Sequence, residues 1–226
     1  PQDNRPWSSK HLRECYTQAA RRFGWDRRTR APGSMRDGDL WVGYGMATAT
    51  YPAHRQAAQA SARLLRDGSF VVASGSQELG TGTYTVITQV AAQSLGVEPG
   101  LVRFMLGDTD LPKAPVSGGS TSAASVGPAV RAACEALRAK ILAEVVRDPQ
   151  SPLHGSSVDA LDVDDGLIVM HGDVTRRESL AMFAGRRGAP LDAAANAAPG
   201  DEAKRFSSHS FGAVFAEVHV DPWLHV

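Results

Sequence analysis

Cysteine is nearly absent from this chain: two occur, Cys15 and Cys134, far apart and outside any Cys-x-x-Cys pair. That speaks against a zinc knuckle or a cysteine-ligated iron–sulfur cluster within it. No apolar run approaches the roughly 20 residues of a membrane-spanning helix. Net charge is also missing, because 24 Lys and Arg balance 24 Asp and Glu. The balance gives no overall pull toward nucleic acid or an anionic membrane. Gly-x-Ser-x-Gly does not occur, so a hydrolase elbow has no support. What is present is enough to build a core: 226 residues, 42% hydrophobic and 21% charged, which excludes a disordered tail. The chain opens on Pro1 without Met or a signal-like stretch and closes on Val226 inside an apolar alternation. It therefore reads as a segment of a longer protein.

Residues 1–40 read as an irregular, Arg-rich linker with one short helix, and residues 41–226 as one partial domain. The helix is expected from Ser9 to Phe23, where Leu12, Tyr16, Ala19, Ala20 and Phe23 recur every three or four positions, with Ser8 or Ser9 as cap. The Arg21, Arg22, Arg27, Arg28 and Arg30 cluster invites phosphate, but a solvated helix face and loop explains it as well. Further on, Asp67-Gly68 marks a hairpin ahead of a strand over Phe70–Ala73. Thr83–Leu95 reads as a helix with Val86, Val90, Ala91 and Leu95 on one face, stopped by Gly96. Leu101–Leu106 is a strand and Ala123–Val146 a long helix. Short strands are expected near Val158–Val163 and Gly166–His171, and a helix near Glu178–Phe183. Ala193–Gly200 is an Ala/Pro/Gly-rich stretch, and Ser210–Val220 alternates as a strand. The order predicts an α+β fold, a mixed sheet packed with helices.

Two loops could carry chemistry. Gln77-Glu78-Leu79-Gly80-Thr81-Gly82-Thr83-Tyr84 lies between a strand and a helix. Its glycines allow close backbone approach, and free N–H groups at the helix start favour an anion. A plain strand-to-helix turn with a Thr cap fits the same residues. The second loop runs from Gly107 to Ser125, follows a strand and feeds the long helix. Its small residues suit backbone packing against a bulky group, with Ser and Thr hydroxyls as donors. Asp108 and Asp110 fall short of a calcium shell and suit a turn. His11, His54, His154, His171, His209, His219 and His225 are scattered, without metal-ligand spacing. Cys134 reads as buried packing. Glu217, in an apolar strand, is either a buried functional carboxylate or a structural one.

Taken together, four stretches resemble the molybdopterin-binding subunit of the molybdenum hydroxylases, the xanthine dehydrogenase and aldehyde oxidoreductase family. They are Gly43-Tyr44-Gly45-Met46-Ala47-Thr48, Glu78-Leu79-Gly80-Thr81-Gly82-Thr83, Gly107-Asp108-Thr109-Asp110 and Gly118-Gly119-Ser120-Thr121-Ser122-Ala123-Ala124-Ser125. The late run Phe211–Asp221 fits too. The resemblance implies a molybdopterin cofactor with molybdenum, in its cytosine dinucleotide form. It implies contacts from Leu79, Gly80, Thr81 and Gly82 on one side and from Ser122, Ala123, Ala124 and Ser125 on the other. It also implies iron–sulfur clusters and FAD on partner subunits or domains, a small aldehyde or N-heteroaromatic substrate, and a cytoplasmic or periplasmic compartment. Two departures stand out. Many members carry Gln where this chain has Thr81, whose reach is shorter. The family's catalytic base, a glutamate in a Gly-x-Gly-Glu loop, has no counterpart here. No catalytic residue is therefore assigned: Glu78 is expected to brace the turn, and Glu217 is not promoted to the base. A non-catalytic binding or assembly module that kept the fold, or an unrelated phosphate-binding domain using the Gly80–Thr83 turn, would share these loops.

Overall fold

The computed structural model describes residues 4–224. In chain order its main elements are α1 (Leu12–Phe23), β1 (Arg36–Asp37), β2 (Leu40–Pro52), β3 (Ala58–Leu64), β4 (Phe70–Ala73), α2 (Thr83–Leu95), β5 (Val102–Met105) and α3 (Ser122–Val145). Then come β6 (Leu161–Asp164), β7 (Leu167–Met170), β8 (Asp173–Ser179), α4 (Leu180–Arg187), β9 (Leu191–Ala197), α5 (Glu202–Arg205) and β10 (His209–Val220). The mixed α+β character expected from the sequence is what forms. The chain divides into two compact units, one made of residues up to Ala53 with those from Asp201 onward, the other of His54–Gly200. Residue 40, the expected boundary, is the first of β2 and lies inside the first unit.

In the first unit, β10 pairs antiparallel with β2 from His209 opposite Pro52 to Val220 opposite Trp41. Residues directly opposite share a face, so Tyr44 lies with Glu217 and Met46 with Phe215. Phe23 at the end of α1 meets this face, its ring centroid 4.8 Å from Tyr44 and 5.6 Å from Phe215. The helix starts at Leu12, later than expected, and neither Ser8 nor Ser9 caps it. The reason is that Trp7 bridges Ser207 and the Ser8 N–H bonds the Ser207 carbonyl at 3.1 Å, which holds that stretch extended. The Arg cluster has local partners. Arg21 and Arg22 sit in the last turn of α1, where the helix dipole favours cations. Arg27 donates to the Phe23 carbonyl at 3.2 Å, and Arg28 lies over the Trp25 ring.

The second unit is built on a four-stranded sheet ordered β5-β4-β3-β9, with β4–β5 parallel and the other pairs antiparallel. Strand β3 alternates cleanly: Ala58, Ala60, Ala62 and Leu64 are buried, while Gln59 and Arg63 are exposed. Onto the buried face packs α3, through Val126, Ala129, Val130, Ala133, Cys134, Leu137 and Ile141 at helical spacing. Alanines on both surfaces bring helix and sheet close. This explains β9, a strand where the sequence promises only an Ala-rich stretch: alanine is a poor strand former, but Ala193 packs under α3 and the ladder to β3 runs from Ala58 opposite Ala197 to Leu64 opposite Leu191. The Asp67-Gly68 hairpin forms as expected, with Gly68 at φ 86° and Asp67 accepting from the Ser69 N–H at 3.0 Å. A second sheet, β6-β7-β8, carries α4 at its end. Glu178, expected in a helix, belongs to β8, and the helix begins at Leu180 behind the Ser179 cap.

Candidate functional site

The two Gly-rich loops meet in the second unit. Gln77 and Ser117 stitch them reciprocally: the Gln77 N–H donates to Ser117 Oγ at 3.2 Å, and the Ser117 N–H donates to Gln77 Oε1 at 3.2 Å. Below this, the Gly75 N–H bonds the Pro112 carbonyl at 2.7 Å and the Gly107 N–H bonds the Ser76 carbonyl at 2.9 Å. A Cβ at Gly75 would come within 3.1 Å of the Pro112 oxygen, a tight contact that the bare glycine avoids where the loops stack.

Between them opens a cleft of about 400 Å³, a size suited to a small organic ligand. Leu79, Thr81, Thr83, Val86 and Ile87 form one wall. Ser117, Gly118, Gly119, Ser120, Ser122 and Ala123 form the other. Of the eight residues expected at a site, Leu79, Thr81, Ser122 and Ala123 therefore line one cleft, and Gly80, Gly82, Ala124 and Ser125 are not among its lining residues. Ser125 is buried, and its Oγ accepts from the Gln56 N–H at 2.9 Å, so its hydroxyl anchors the first turn of α3. Val86 and Ile87 are not among the residues expected at the site. Periodicity assigns Val86 to the core face, yet it is 40% exposed at the cleft while Ile87 is the buried residue. The apolar pair is adjacent, and periodicity alone does not say which member turns inward.

The two helix ends at the cleft differ. At α2, the Glu78 carboxylate takes the place of a cap: Oε1 accepts from the Gly82 N–H at 3.1 Å and Oε2 from the Tyr84 N–H at 3.2 Å. Partial burial pushes its pKa up, but the N–H groups of Tyr84, Gly82, Thr81 and Gly80 together outweigh this and hold it below the ordinary carboxylate range. The expected brace is observed. The expected Thr cap is not, because the N-cap residue is Gly82 and Thr81 Oγ1 faces Thr83 Oγ1 at 3.1 Å. At α3 no side chain caps the end. Thr121 Oγ1 instead lies 3.1 Å from both the Val116 and Gly118 carbonyl oxygens, and the first turn has no acid. Ser122 and Ala123 of that turn line the cleft wall. Ser120 beside them takes a left-handed φ of 60°, uncommon for a residue with a side chain. Pro128 inside α3 has no N–H to give the Ala124 carbonyl.

The remaining candidates have surroundings of their own. Asp108 accepts from the Asp110 N–H at 2.9 Å, a turn role. Cys134 is buried in α3, and its thiol is pushed up to about 12, chiefly by burial. Glu217 is exposed in the first unit, where it bonds His219 Nε2 at 2.7 Å, so the buried-carboxylate alternative falls away. His219, paired also with Asp37, is the histidine drawn into a charge cluster there. His225 lies outside the described residues. Among the described residues no group of His, Cys, Asp and Glu is arranged to hold a metal ion, and no helix is long and apolar enough to cross a membrane.

Comparison with known proteins points the same way. A family model described as molybdopterin cofactor-binding domain matches residues 18–224. The aldehyde oxidoreductase molybdenum-binding subunit PaoC of Escherichia coli (strain K12) is 36% identical over 146 residues, 65% of this chain and 20% of that protein. The xanthine dehydrogenase molybdenum-binding subunit of Escherichia coli O157:H7 is 35% identical over 142 residues, 60% of this chain and 19% of that one. The chain thus spans about a fifth of the length of these relatives. Its fold matches CO dehydrogenase from Oligotropha carboxidovorans with a TM-score of 0.75 at 18% identity, over 95% of this chain and 29% of that one. Quinoline 2-oxidoreductase from Pseudomonas putida 86 matches with a TM-score of 0.70 at 17% identity, over 95% and 28%.

Proposed function

Because the chain belongs to the molybdopterin cofactor-binding domain family, we propose that it supplies part of the cradle for a molybdopterin cofactor in a molybdenum hydroxylase. The observation that carries this is the cleft between the stitched loops. Its donors fit the group: hydroxyls at Thr81, Thr83, Ser120 and Ser122 and an uncapped helix end suit an anionic, hydrogen-bonding ring system. A Cβ built on Gly118, in the cleft wall, would meet nothing within 4 Å, so the space there stands open to a bulky guest. Among the described residues no thiol or imidazole lines the cleft, which suits a cofactor that brings its own metal ligands. Leu79 and Thr81 would hold one side of the cofactor and Ser122 and Ala123 the other. Gly80 and Gly82 shape the turn, and Ala124 and Ser125 secure the start of α3.

When bound, the molybdenum group supplies the redox chemistry for oxidative hydroxylation of an aldehyde or N-heteroaromatic carbon. The chain's own residues bind and orient. In this reading the cofactor is the cytosine dinucleotide form, and electrons leave to iron–sulfur and FAD partner subunits. Glu78 is committed to backbone N–H groups, and among the described residues no carboxylate lines the cleft. The general base therefore comes from elsewhere in the whole protein, and this chain alone does not turn over. The test is Ala123→Phe in the full-length protein, which fills the cleft with a ring. Pterin released on denaturation and measured by fluorescence should fall at least about tenfold with the fold intact by circular dichroism. Unchanged pterin content would overturn the assignment and leave the non-catalytic module as the better account.

A further inference from the structure

We propose that Glu78 is a positioning residue for the cleft: its carboxylate is a built-in anion at the start of α2 that holds the Leu79–Gly82 turn in the shape that presents Leu79 and Thr81. The function of that turn rests on the cradle described above; its geometry does not. Gly80 and Gly82 both take left-handed backbone, φ 85° and 78°, and two such glycines so close together leave a loop with many alternatives. Packing does not select among them, because a Cβ at either position would meet nothing within 4 Å. Among the contacts that do restrain the turn are the two Glu78 bonds, at 3.1 Å to the Gly82 N–H and 3.2 Å to the Tyr84 N–H, beside the Thr81–Thr83 hydroxyl contact at 3.1 Å. The N-cap itself is a glycine, and the first turn of α2 contains no other acid.

The experiment uses the full-length protein with Glu78→Ala and Glu78→Gln, and formate as the probe. Amide hydrogen exchange at Gly82 and Tyr84 is the first readout and bound pterin the second. The alanine variant should lose about tenfold protection at both amides, and the glutamine variant, with one acceptor oxygen left, at one of them. Millimolar formate should restore protection in the alanine variant, where it can enter the vacated space, and not in the glutamine variant, whose amide still fills it. Pterin content should fall and recover in parallel, a response to a small anion that a purely structural defect does not give. If the alanine variant fails to fold, exchange in the isosteric glutamine variant decides. Unchanged protection in the glutamine variant, or a folded alanine variant deaf to formate, overturns the proposal. Formate-responsive exchange with pterin content constant throughout upholds the brace and removes the cradle reading instead.

Discussion

Replacing Glu178 by alanine should cost the second unit about 3 kcal/mol. The side chain is 1% exposed, and both oxygens are engaged. Oε2 accepts from the Ser151 hydroxyl at 2.8 Å, and Oε1 pairs with the Arg186 guanidinium. Arg186 Nε also reaches Asp148 at 2.6 Å. Its pKa stands above the ordinary guanidinium range, chiefly through the Glu178 hydrogen bond. Removing one partner of a buried pair costs about 3–5 kcal/mol, because the other charge stays behind. The lower end applies, since the Arg186 side chain is 20% exposed and keeps Asp148. At about 2–4 °C per kcal/mol for a chain of this size, the melting temperature falls by about 6–12 °C. Thermal melts followed by far-UV circular dichroism at pH 7 read this directly. The pair of replacements Glu178→Leu and Arg186→Met should recover part of the loss, because the buried Glu178–Arg186 pair is gone as a whole and only the half-buried Asp148 loses a partner, while keeping the Gln150 N–H. A fall below about 2 °C in the alanine variant, or a double variant that melts lower than it, would refute the reasoning.

Three further outcomes follow from the same geometry. Gly96→Ala should destabilise by roughly 2–5 kcal/mol in urea titrations, since φ is 73° and the new Cβ would come within 2.1 Å of the Val163 carbonyl oxygen; a variant as stable as the parent contradicts so close an approach of these backbones. Cys134, buried and with its thiol pushed up to about 12, should resist iodoacetamide at pH 8 until the chain unfolds, with mass spectrometry finding label at most on Cys15. Asp67, Asp148 and Asp173 all have lowered pKa values: at Asp67 and Asp173 the hydroxyls of Ser69 and Thr175 contribute most, at Asp148 the Gln150 N–H. Each adds stability that is fully present above the ordinary carboxylate pKa and is lost as pH falls through the lowered one, so the melting temperature should hold from neutrality to about pH 5 and drop below about pH 4.

Local signals in the sequence carry far where one dihedral decides the structure. Asp67-Gly68 marks its hairpin and Gly96 ends α2, because both positions need left-handed backbone. The loops of the site are legible for the same reason, being runs of Gly, Ser and Thr that pack poorly as core. Which of their residues face the cleft is not legible. That choice depends on the Gln77–Ser117 bonds between segments 40 positions apart, and no window of sequence contains both. Strand β9 is hidden because its alanines are selected by the nearness of α3. The end of strand β8 is hidden because Glu178 reads as the start of the helix expected near Glu178–Phe183, while Arg186 and Ser151, which supply partners for its carboxylate, lie elsewhere in the sequence. The start of α1 is misjudged because a backbone pairing with Ser207 overrides two good capping residues.

The stitching of the loops also makes the two walls of the cleft dependent on each other. The Gln77 N–H is held by Ser117, and the Ser117 N–H is held by Gln77. The parallel pairing of β5 beside β4 brings the loops that follow them to one edge of the sheet, and Ser122 and Ala123 at the start of α3 complete the lining. A substitution at Gln77 or Ser117 is therefore felt on both walls, although the two positions lie 40 residues apart.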